Sequence, residues 1–214
     1  MRIWAILAAA AVILSLTGTS HAGKYNPELN IGDDAPVWKE LPGVDGKKHS
    51  LADLKDKEVI VVVVTCNTCP YAVEYEDRII EFTNKHAGKD SKVAVVAINV
   101  NTREEADLMP AMKERAKEKK FPFPYLFDES QKIGRELGAT RTPEFFVLNK
   151  QRKIVYMGAM DDSADAEKVT TNYVELATEA ALAGKKPETE ETVAVGCGVR
   201  YKRKSRERGS KKSN

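Results

Sequence analysis

The longest uninterrupted apolar stretches of the chain predict buried β-strands. Glu58-Val59 to Thr65 is one run of mostly β-branched side chains, and Lys92 to Val100 is a second. Each run is too short for a typical helix and does not alternate with polar residues, as expected of strands covered on both faces of a parallel sheet. We therefore predict that both lie inside the sheet, with the first as its central strand.

A helix is predicted directly after the first strand. Pro70 fits the first helical turn, where its missing N–H would be unbonded in any case, and the helix should end at about His86 to Gly88. Its buried face is predicted from four apolar residues at helical spacing, Ala72, Tyr75, Ile79 and Phe82.

The second half of the chain predicts further helices and a hairpin. Thr102 with Glu105 has capping-box spacing, so a helix should follow the second strand, and Pro110 should kink or restart it before about Lys120. The prolines of FPFPYLFDES at 121–130 then forbid helix. The remaining predictions are a short helix over 130–137 closed by Gly138, a hairpin of strands 144–148 and 153–157, and a last helix over 163–183.

The amino-terminal part predicts a short hairpin. Asp45-Gly46 is placed as a tight turn between Val37-Trp38 and the segment around His49, and Ser50 with Asp53 could cap one helical turn. The order hairpin, β, α, β, α, short α, β, β, α joins a parallel βαβ unit to an antiparallel ββα unit. This order predicts an α/β protein with the element order of a thioredoxin-like fold, a central mixed sheet flanked by helices with an amino-terminal hairpin extension.

The first residues have the pattern of a secretory signal peptide. Arg2 is followed by an apolar stretch from Ile3 to Leu16 and by a small-x-small site at Ser20-His21-Ala22. That stretch is shorter than the roughly 20 residues that span a bilayer, so an uncleaved anchor is only the alternative. We predict an exported protein, periplasmic or extracytoplasmic, with a signal peptide at 1–22 and one domain at 23–186.

The charge is concentrated at the other end of the chain. The formal net charge is +2, yet residues 198–214 hold eight Lys or Arg against one Glu. With so little apolar content this segment is predicted to be disordered, so 187–214 is interpreted as an acidic linker, Cys197 and a basic tail. The tail is expected to keep the protein soluble, with weak contact to a membrane surface as the alternative. Export argues against nucleic acid as a partner.

The three cysteines, Cys66, Cys69 and Cys197, lie in the predicted mature part, where disulfides can form and persist. Cys66 and Cys69 fall at the junction of the central strand and the first long helix. We expect Cys66 to be the exposed nucleophile, with its thiolate stabilised by the free N–H groups of the helix start, and Cys69 to face inward as the shielded thiol that resolves a mixed disulfide.

Two structural alternatives apply to the same residues. A static disulfide across two residues would close so short a loop that it adds little stability. A zinc site would need the three cysteines together with His49 or His86. The redox couple requires neither a metal nor a cofactor, and we predict none.

Thr142-Pro143 precedes the second hairpin and is the other candidate for the site. If the peptide bond is cis, the Thr142 backbone would lie beside the Cys66 sulfur, where it could pair with an incoming peptide strand. The alternative is an ordinary trans proline that opens an edge strand.

The chain resembles the redoxin branch of the thioredoxin superfamily over about residues 30 to 184. That branch includes the alkyl hydroperoxide reductase/thiol-specific antioxidant proteins and the exported TlpA-like thiol-disulfide oxidoreductases. The resemblance rests on IGDDAP beginning at Ile31, DGKKHSLADLKDKEVIVV, TCNTCPYAVEYEDRI, the stretch from FPYLFDES to IVYMG, and MDDS at 160–163. Exported bacterial thioredoxin family proteins with a C-N-x-C-P-Y centre and a Gly-Cys basic tail are similar in particular.

This resemblance implies a thiol-disulfide oxidoreductase in which Cys66 attacks, Cys69 resolves, and Pro143 is the cis proline beside the site. Its partners would be protein thiols or disulfides and an unidentified redox partner. Cys197 could pair with Cys66, serve as an accessory relay thiol, or stay free.

The chain also departs from the related patterns. Thr65 stands where thioredoxins have a tryptophan, which puts general disulfide reductase activity in doubt. No peroxiredoxin motif P-x-x-x-T/S-x-x-C precedes either cysteine, which weakens the alternative of a thiol peroxidase. A Sco-like copper-binding protein, the other alternative, spaces its cysteines by three and needs a downstream histidine, and none follows His86.

Overall fold

The computed structural model describes residues 23–203, in which a five-stranded mixed sheet is covered by helices. The strands are β1 (Leu41–Pro42), β2 (Lys48–His49), β3 (Val59–Thr65), β4 (Val93–Asn99), β5 (Tyr125–Phe127), β6 (Arg141–Thr142), β7 (Glu144–Leu148), β8 (Ile154–Gly158) and β9 (Cys197–Gly198). The α-helices are α1 (Pro70–His86), α2 (Met109–Lys119), α3 (Lys132–Glu136) and α4 (Tyr173–Leu182), and the 3-10 turns are Leu51–Leu54, Glu105–Asp107 and Ala166–Lys168.

The strand order of the main sheet is β5-β4-β3-β7-β8, so the predicted central position of β3 is confirmed. β3 runs parallel to β4, from Val59 opposite Val93 to Thr65 opposite Asn99. β7 pairs antiparallel with β3 and with β8, and β5 pairs parallel with β4. The predicted α/β class and thioredoxin-like arrangement are therefore those of the structure.

The two faces of β3 explain its uninterrupted apolar sequence. Val59, Val61 and Val63 pack in a cluster with the apolar faces of α1 and α4. Ile60, Val62 and Val64 point to the opposite face, into a cluster that also holds the amino-terminal segment and α3. Every residue of the strand is buried, so no position is left at which a polar side chain would be solvated.

The predicted hairpin turn and capped turn are confirmed in the amino-terminal extension, but the first strand of the hairpin is Leu41–Pro42 and not Val37-Trp38. β1 and β2 pair antiparallel across the turn that contains Asp45 and Gly46, and the Asp45 carboxylate accepts a hydrogen bond from the Lys47 amide at 3.1 Å. Ser50 and Asp53 form the reciprocal capping box of the turn Leu51–Leu54.

Two helix starts differ from the prediction. The Thr102–Glu105 capping box does not form: a 3-10 turn lies there, without a side-chain cap, and α2 restarts at Met109 with Pro110 in its first turn. The last helix begins at Tyr173 rather than 163, because the Asp162 carboxylate accepts a bond from the Thr170 amide at 2.9 Å and folds the intervening chain into a loop.

The prediction that residues 198–214 are disordered is wrong for residues 198–203, the part of this segment that the structure describes. Residues 190–203, called the strap below, run back across the domain, and β9 within it pairs with β6. The strap is also bonded to the domain elsewhere: the Lys202 amide donates to Gln131 at 2.7 Å, and the Arg200 side chain pairs with Glu104 at 2.6 Å. The predicted signal peptide at 1–22 and residues 204–214 lie outside the described residues.

None of the helices within residues 23–203 is both long enough and apolar enough to cross a membrane.

Candidate active site

The Cys66–Cys69 loop connects the end of β3 to the start of α1, as predicted. β3 ends at Thr65, and Pro70 is the first residue of the helix. Both cysteines are free thiols, 3% and 2% exposed respectively. The prediction of one exposed nucleophile beside one shielded thiol is therefore wrong for this reduced state, in which both are buried.

Thr142 contacts both sulfur atoms. The Thr142–Pro143 peptide bond is cis. The Thr142 hydroxyl lies 3.5 Å from Cys66 Sγ, and the Thr142 carbonyl oxygen accepts a hydrogen bond from the Cys69 thiol at 3.0 Å. The structure thus brings the predicted residue pair to the predicted cysteines, although the backbone of Thr142 faces Cys69 and only its side chain faces Cys66.

The helix start serves Cys69 instead of Cys66. Cys69 is the residue that caps α1, because Pro70 occupies the first helical position. Burial acts to raise the pKa of Cys69, but hydrogen bonds from the Cys197 thiol and from the Ala72 and Cys197 amides outweigh it and leave that pKa lowered. The Thr142 side chain also lowers that pKa, whereas the Thr142 carbonyl, which accepts from the thiol at 3.0 Å, favours the protonated form.

Cys66 has the opposite electrostatic environment. Burial raises the pKa of its thiol, against the hydrogen bond from Thr142 and the Cys69 amide, and the negative charge of Asp107 raises it further. The expectation that Cys66 carries the stabilised thiolate is therefore wrong in this conformation. The physical reason is that Cys66 lies three residues before the helix cap, outside the first turn in which free amides and the helix dipole act.

The Asp107 carboxylate accepts hydrogen bonds from the amides that were expected to face the Cys66 sulfur. This carboxylate is 1% exposed and accepts hydrogen bonds from the amides of Asn67 at 2.8 Å and Thr68 at 3.0 Å. It also accepts the Thr68 hydroxyl at 2.7 Å. The loop is held on its other side by the Tyr125 hydroxyl, which donates to Asn67 Oδ1 at 3.0 Å. Asp107 thus fixes the inter-cysteine loop with its charge close to Cys66.

Sequence reasoning did not find Asp107. It lies about 40 positions along the chain from the loop that it holds, in a 3-10 turn after β4. Its one sequence signal is an acidic residue just after a buried strand that ends beside β3. That signal is shared by Glu104 and Glu105 and does not single it out.

Cys197 is the third thiol of the site. β9 places it opposite Thr142 in the antiparallel β6–β9 pair. Its amide donates to Cys69 Sγ at 3.4 Å, and its side chain packs against the buried cluster of Cys66, Cys69 and Ala72. The hydrogen bond to Cys69 raises the pKa of Cys197 to about 11, so the proton stays on Cys197 and the negative charge is favoured on Cys69.

The histidines needed for a zinc site are used elsewhere. His49 Nε2 lies 3.0 Å from Asp45 and His86 Nε2 lies 3.1 Å from Glu175. Over residues 23–203, no group of three or more histidine, cysteine or carboxylate side chains is arranged to hold a metal ion.

Comparisons with solved structures show the same architecture in other proteins. An uncharacterized conserved protein from Geobacillus kaustophilus is 30% identical, with 84% of this chain and 96% of that chain covered and a TM-score of 0.76. A hypothetical protein from Sinorhizobium meliloti 1021 is 29% identical, with 83% and 97% covered and a TM-score of 0.76. The peroxidoxin BcpB of Mycobacterium tuberculosis shares the fold at 18% identity, with 72% and 96% covered and a TM-score of 0.55.

The sequence itself identifies the family. No curated protein matches the chain significantly. The sequence model of the redoxin family matches residues 30–174, which is more than half of the chain and includes β3, the cysteine loop, Asp107 and Thr142-Pro143. With its redoxin-type sequence and its thioredoxin-like fold, the chain belongs to the redoxin family.

Proposed function

We propose that this protein is an exported thiol-disulfide oxidoreductase that exchanges or reduces protein disulfides through a Cys66–Cys69 couple. Redoxin membership and a cluster of free thiols support the general class, an oxidoreductase that acts through cysteine. The single observation that carries the finer proposal is the contact of Thr142 with both sulfur atoms, at 3.5 Å and 3.0 Å.

The reaction consists of two exchange steps. The Cys66 thiolate attacks one sulfur of a substrate disulfide, a mixed disulfide forms, and the other substrate sulfur leaves as a thiolate. Cys69 then attacks Cys66 Sγ, the Cys66–Cys69 bond forms, and the second substrate sulfur leaves. The substrate gains two electrons and two protons, and the two cysteines lose them.

Thr68 and Asp107 offer a route for the Cys66 proton. Cys66 Sγ lies 4.0 Å from the Thr68 hydroxyl oxygen, and that hydroxyl donates to Asp107 at 2.7 Å. The Thr68 oxygen can accept the thiol proton while its own proton moves toward the carboxylate. Because burial and the charge of Asp107 raise the pKa of Cys66, a nearby proton acceptor is what the first step requires.

Thr142 and Pro143 are the proposed substrate-binding residues. β6 presents its backbone edge next to the two thiols, and an extended substrate segment can add to such an edge as a further strand. In the structure this edge is paired with β9 of the strap, so a peptide would bind after β9 leaves.

Export and the partners belong to the same proposal. The signal-peptide pattern of residues 1–22 supports a periplasmic or other extracytoplasmic location, in which protein disulfides are available as substrates. Amino-terminal sequencing of the secreted protein should begin near Gly23, and an intact Met1 on the mature protein would contradict export by cleavage. We also propose that the basic tail makes weak contact with a membrane surface.

The test is reduction of insulin disulfides by the full mature chain, with dithiothreitol as the electron source. We expect Cys66→Ser and Cys69→Ser to abolish the reductase activity while their unfolding temperatures stay close to that of the parent protein. Equal activity in Cys66→Ser would end the proposal. A peroxide arm separates the alternative: rapid consumption of micromolar hydrogen peroxide with no insulin reduction would favour a thiol peroxidase.

A further inference from the structure

The strap is fastened to the domain on both sides of Cys197. Before it, the Met157 amide donates to the Glu190 carbonyl at 3.1 Å and the Thr192 amide donates to the Met157 carbonyl at 3.0 Å. After it, the Val199 amide donates to the Thr140 carbonyl at 3.0 Å. The Tyr201 hydroxyl reaches the Ala139 carbonyl at 2.8 Å. Cys197 is therefore positioned by the fold and does not sit on a loose end.

The approach of the strap to the site depends on a residue without a side chain. A Cβ added to Gly196 would lie 2.0 Å from the Thr142 carbonyl oxygen and 2.7 Å from its carbon. Gly196 thus lies directly against the residue that contacts both site thiols, and the next residue in the chain is Cys197.

Within the thiol cluster, Cys197 is hydrogen-bonded to Cys69. The Cys197 amide donates to Cys69 Sγ at 3.4 Å, whereas Cys66 Sγ has Thr142 Oγ1 at 3.5 Å and Thr68 Oγ1 at 4.0 Å as its partners. Cys69 therefore lies between two other cysteines, Cys66 three residues before it in the chain and Cys197 on the strap.

We propose that Cys197 is a third redox residue, which takes over the disulfide from Cys66 by attacking Cys69. The inference rests on the proposed function, because that reaction supplies the Cys66–Cys69 disulfide. The Cys197 sulfur forms a bond to Cys69 Sγ, the Cys66–Cys69 bond breaks, and Cys66 leaves as a thiolate that takes up the proton given up by Cys197. No electrons are gained or lost, so the step needs no further oxidant.

The product has two functional consequences. Cys66 is a free thiol again, and the disulfide is now Cys69–Cys197. The protein therefore offers a thiol partner a second disulfide that does not include Cys66. The same bond ties the strap covalently to the start of α1, which keeps β9 paired with β6 and withholds that edge from peptides until the disulfide is reduced.

The experiment maps disulfides in the full mature chain and in its three single Cys→Ser variants. Each protein is equilibrated with oxidised and reduced glutathione, quenched in acid, alkylated and digested for mass spectrometry. In the parent protein we expect both Cys66–Cys69 and Cys69–Cys197. In Cys66→Ser, attack of Cys69 on glutathione disulfide followed by attack of Cys197 should give Cys69–Cys197 and release glutathione. In the parent protein, where both bonds are possible, Cys69–Cys197 should exceed Cys66–Cys197 at least tenfold.

The outcomes separate this inference from the function on which it rests. An active parent protein with only Cys66–Cys69, together with a Cys66→Ser variant that keeps glutathione on Cys69 and a free Cys197, would overturn the inference and leave the oxidoreductase proposal intact. A Cys69–Cys197 bond that forms in a protein unable to reduce insulin would support the pairing and refute the function. A predominant Cys66–Cys197 bond in the parent protein would overturn the assignment to Cys69.

Discussion

Replacing Gly196 by alanine should detach the strap from the site. The added Cβ would lie 2.0 Å from the Thr142 carbonyl oxygen, and both partners are backbone atoms that no side-chain rotation can move. Restoring an ordinary contact of about 3.4 Å requires the strap and β6 to separate by about 1.4 Å. A shift of that size breaks a backbone hydrogen bond that is 3.0 Å long, such as the one from Val199 to Thr140.

The expected magnitude follows from the bonds lost. Each backbone hydrogen bond contributes about 1 kcal/mol net, so loss of the β6–β9 pairing costs about 2 to 3 kcal/mol. Since 1.4 kcal/mol is a factor of ten, the fraction of molecules with a detached strap should rise roughly 30- to 150-fold. The main sheet does not depend on this pairing, so its unfolding should change much less.

The assay is the alkylation rate of Cys69 and Cys197 under native conditions, followed by peptide mass spectrometry. Both thiols should react faster in Gly196→Ala by about the same factor as the detached fraction rises. Gly198→Ala is the matched control two residues away, because only Arg141 Nη1, at 4.0 Å, comes within reach of a Cβ there. Equal alkylation rates in the two variants would refute the reasoning that Gly196 is required for the close approach.

Three further predictions concern buried charges. Asp107→Asn removes the charge that raises the pKa of Cys66, so the pH midpoint of Cys66 alkylation should fall; an unchanged midpoint would contradict that assignment. Glu144 is buried and its pKa is raised, so the folded state loses stability as pH rises from the unfolded value of about 4.5 through the higher folded value. Glu144→Gln should flatten thermal stability between pH 4 and 7, and a persisting slope would assign it to another group. The two guanidinium NH2 groups of Arg78 donate to the buried Asp161 at 2.7 Å and to the carbonyls of the following loop. Arg78→Lys should therefore lower the free energy of unfolding in urea titrations by about 1 to 3 kcal/mol, and no loss would contradict a role for these paired donors.

Much of the architecture could be predicted from local sequence. The valine run is buried on both faces because helices cover both faces of the sheet. The lack of polar positions in its sequence is the signal of this burial. Pro70 set the start of α1 correctly, and the hairpin of β7 and β8 followed from its polar turn.

The finer features of the site could not be predicted, because they depend on contacts distant in sequence. The start of α1 was right, but the capping residue is Cys69, so the helix amides serve a different sulfur from the one expected. β9 is two residues long and exists through its pairing with β6. The 3-10 turn that carries Asp107 replaced the predicted capping box, since the carboxylate gains three donors from the cysteine loop.

For a substrate that binds the edge of β6 as proposed, the pairing of that edge with β9 has a consequence for selection. β9 belongs to the same chain as β6, so a substrate peptide competes with β9 at an effective concentration on the order of millimolar. Its apparent affinity is its intrinsic affinity multiplied by the fraction of molecules in which the edge is vacant. Peptides that pair weakly with β6 therefore do not displace β9. The strength of the β6–β9 pairing sets the affinity that a substrate needs.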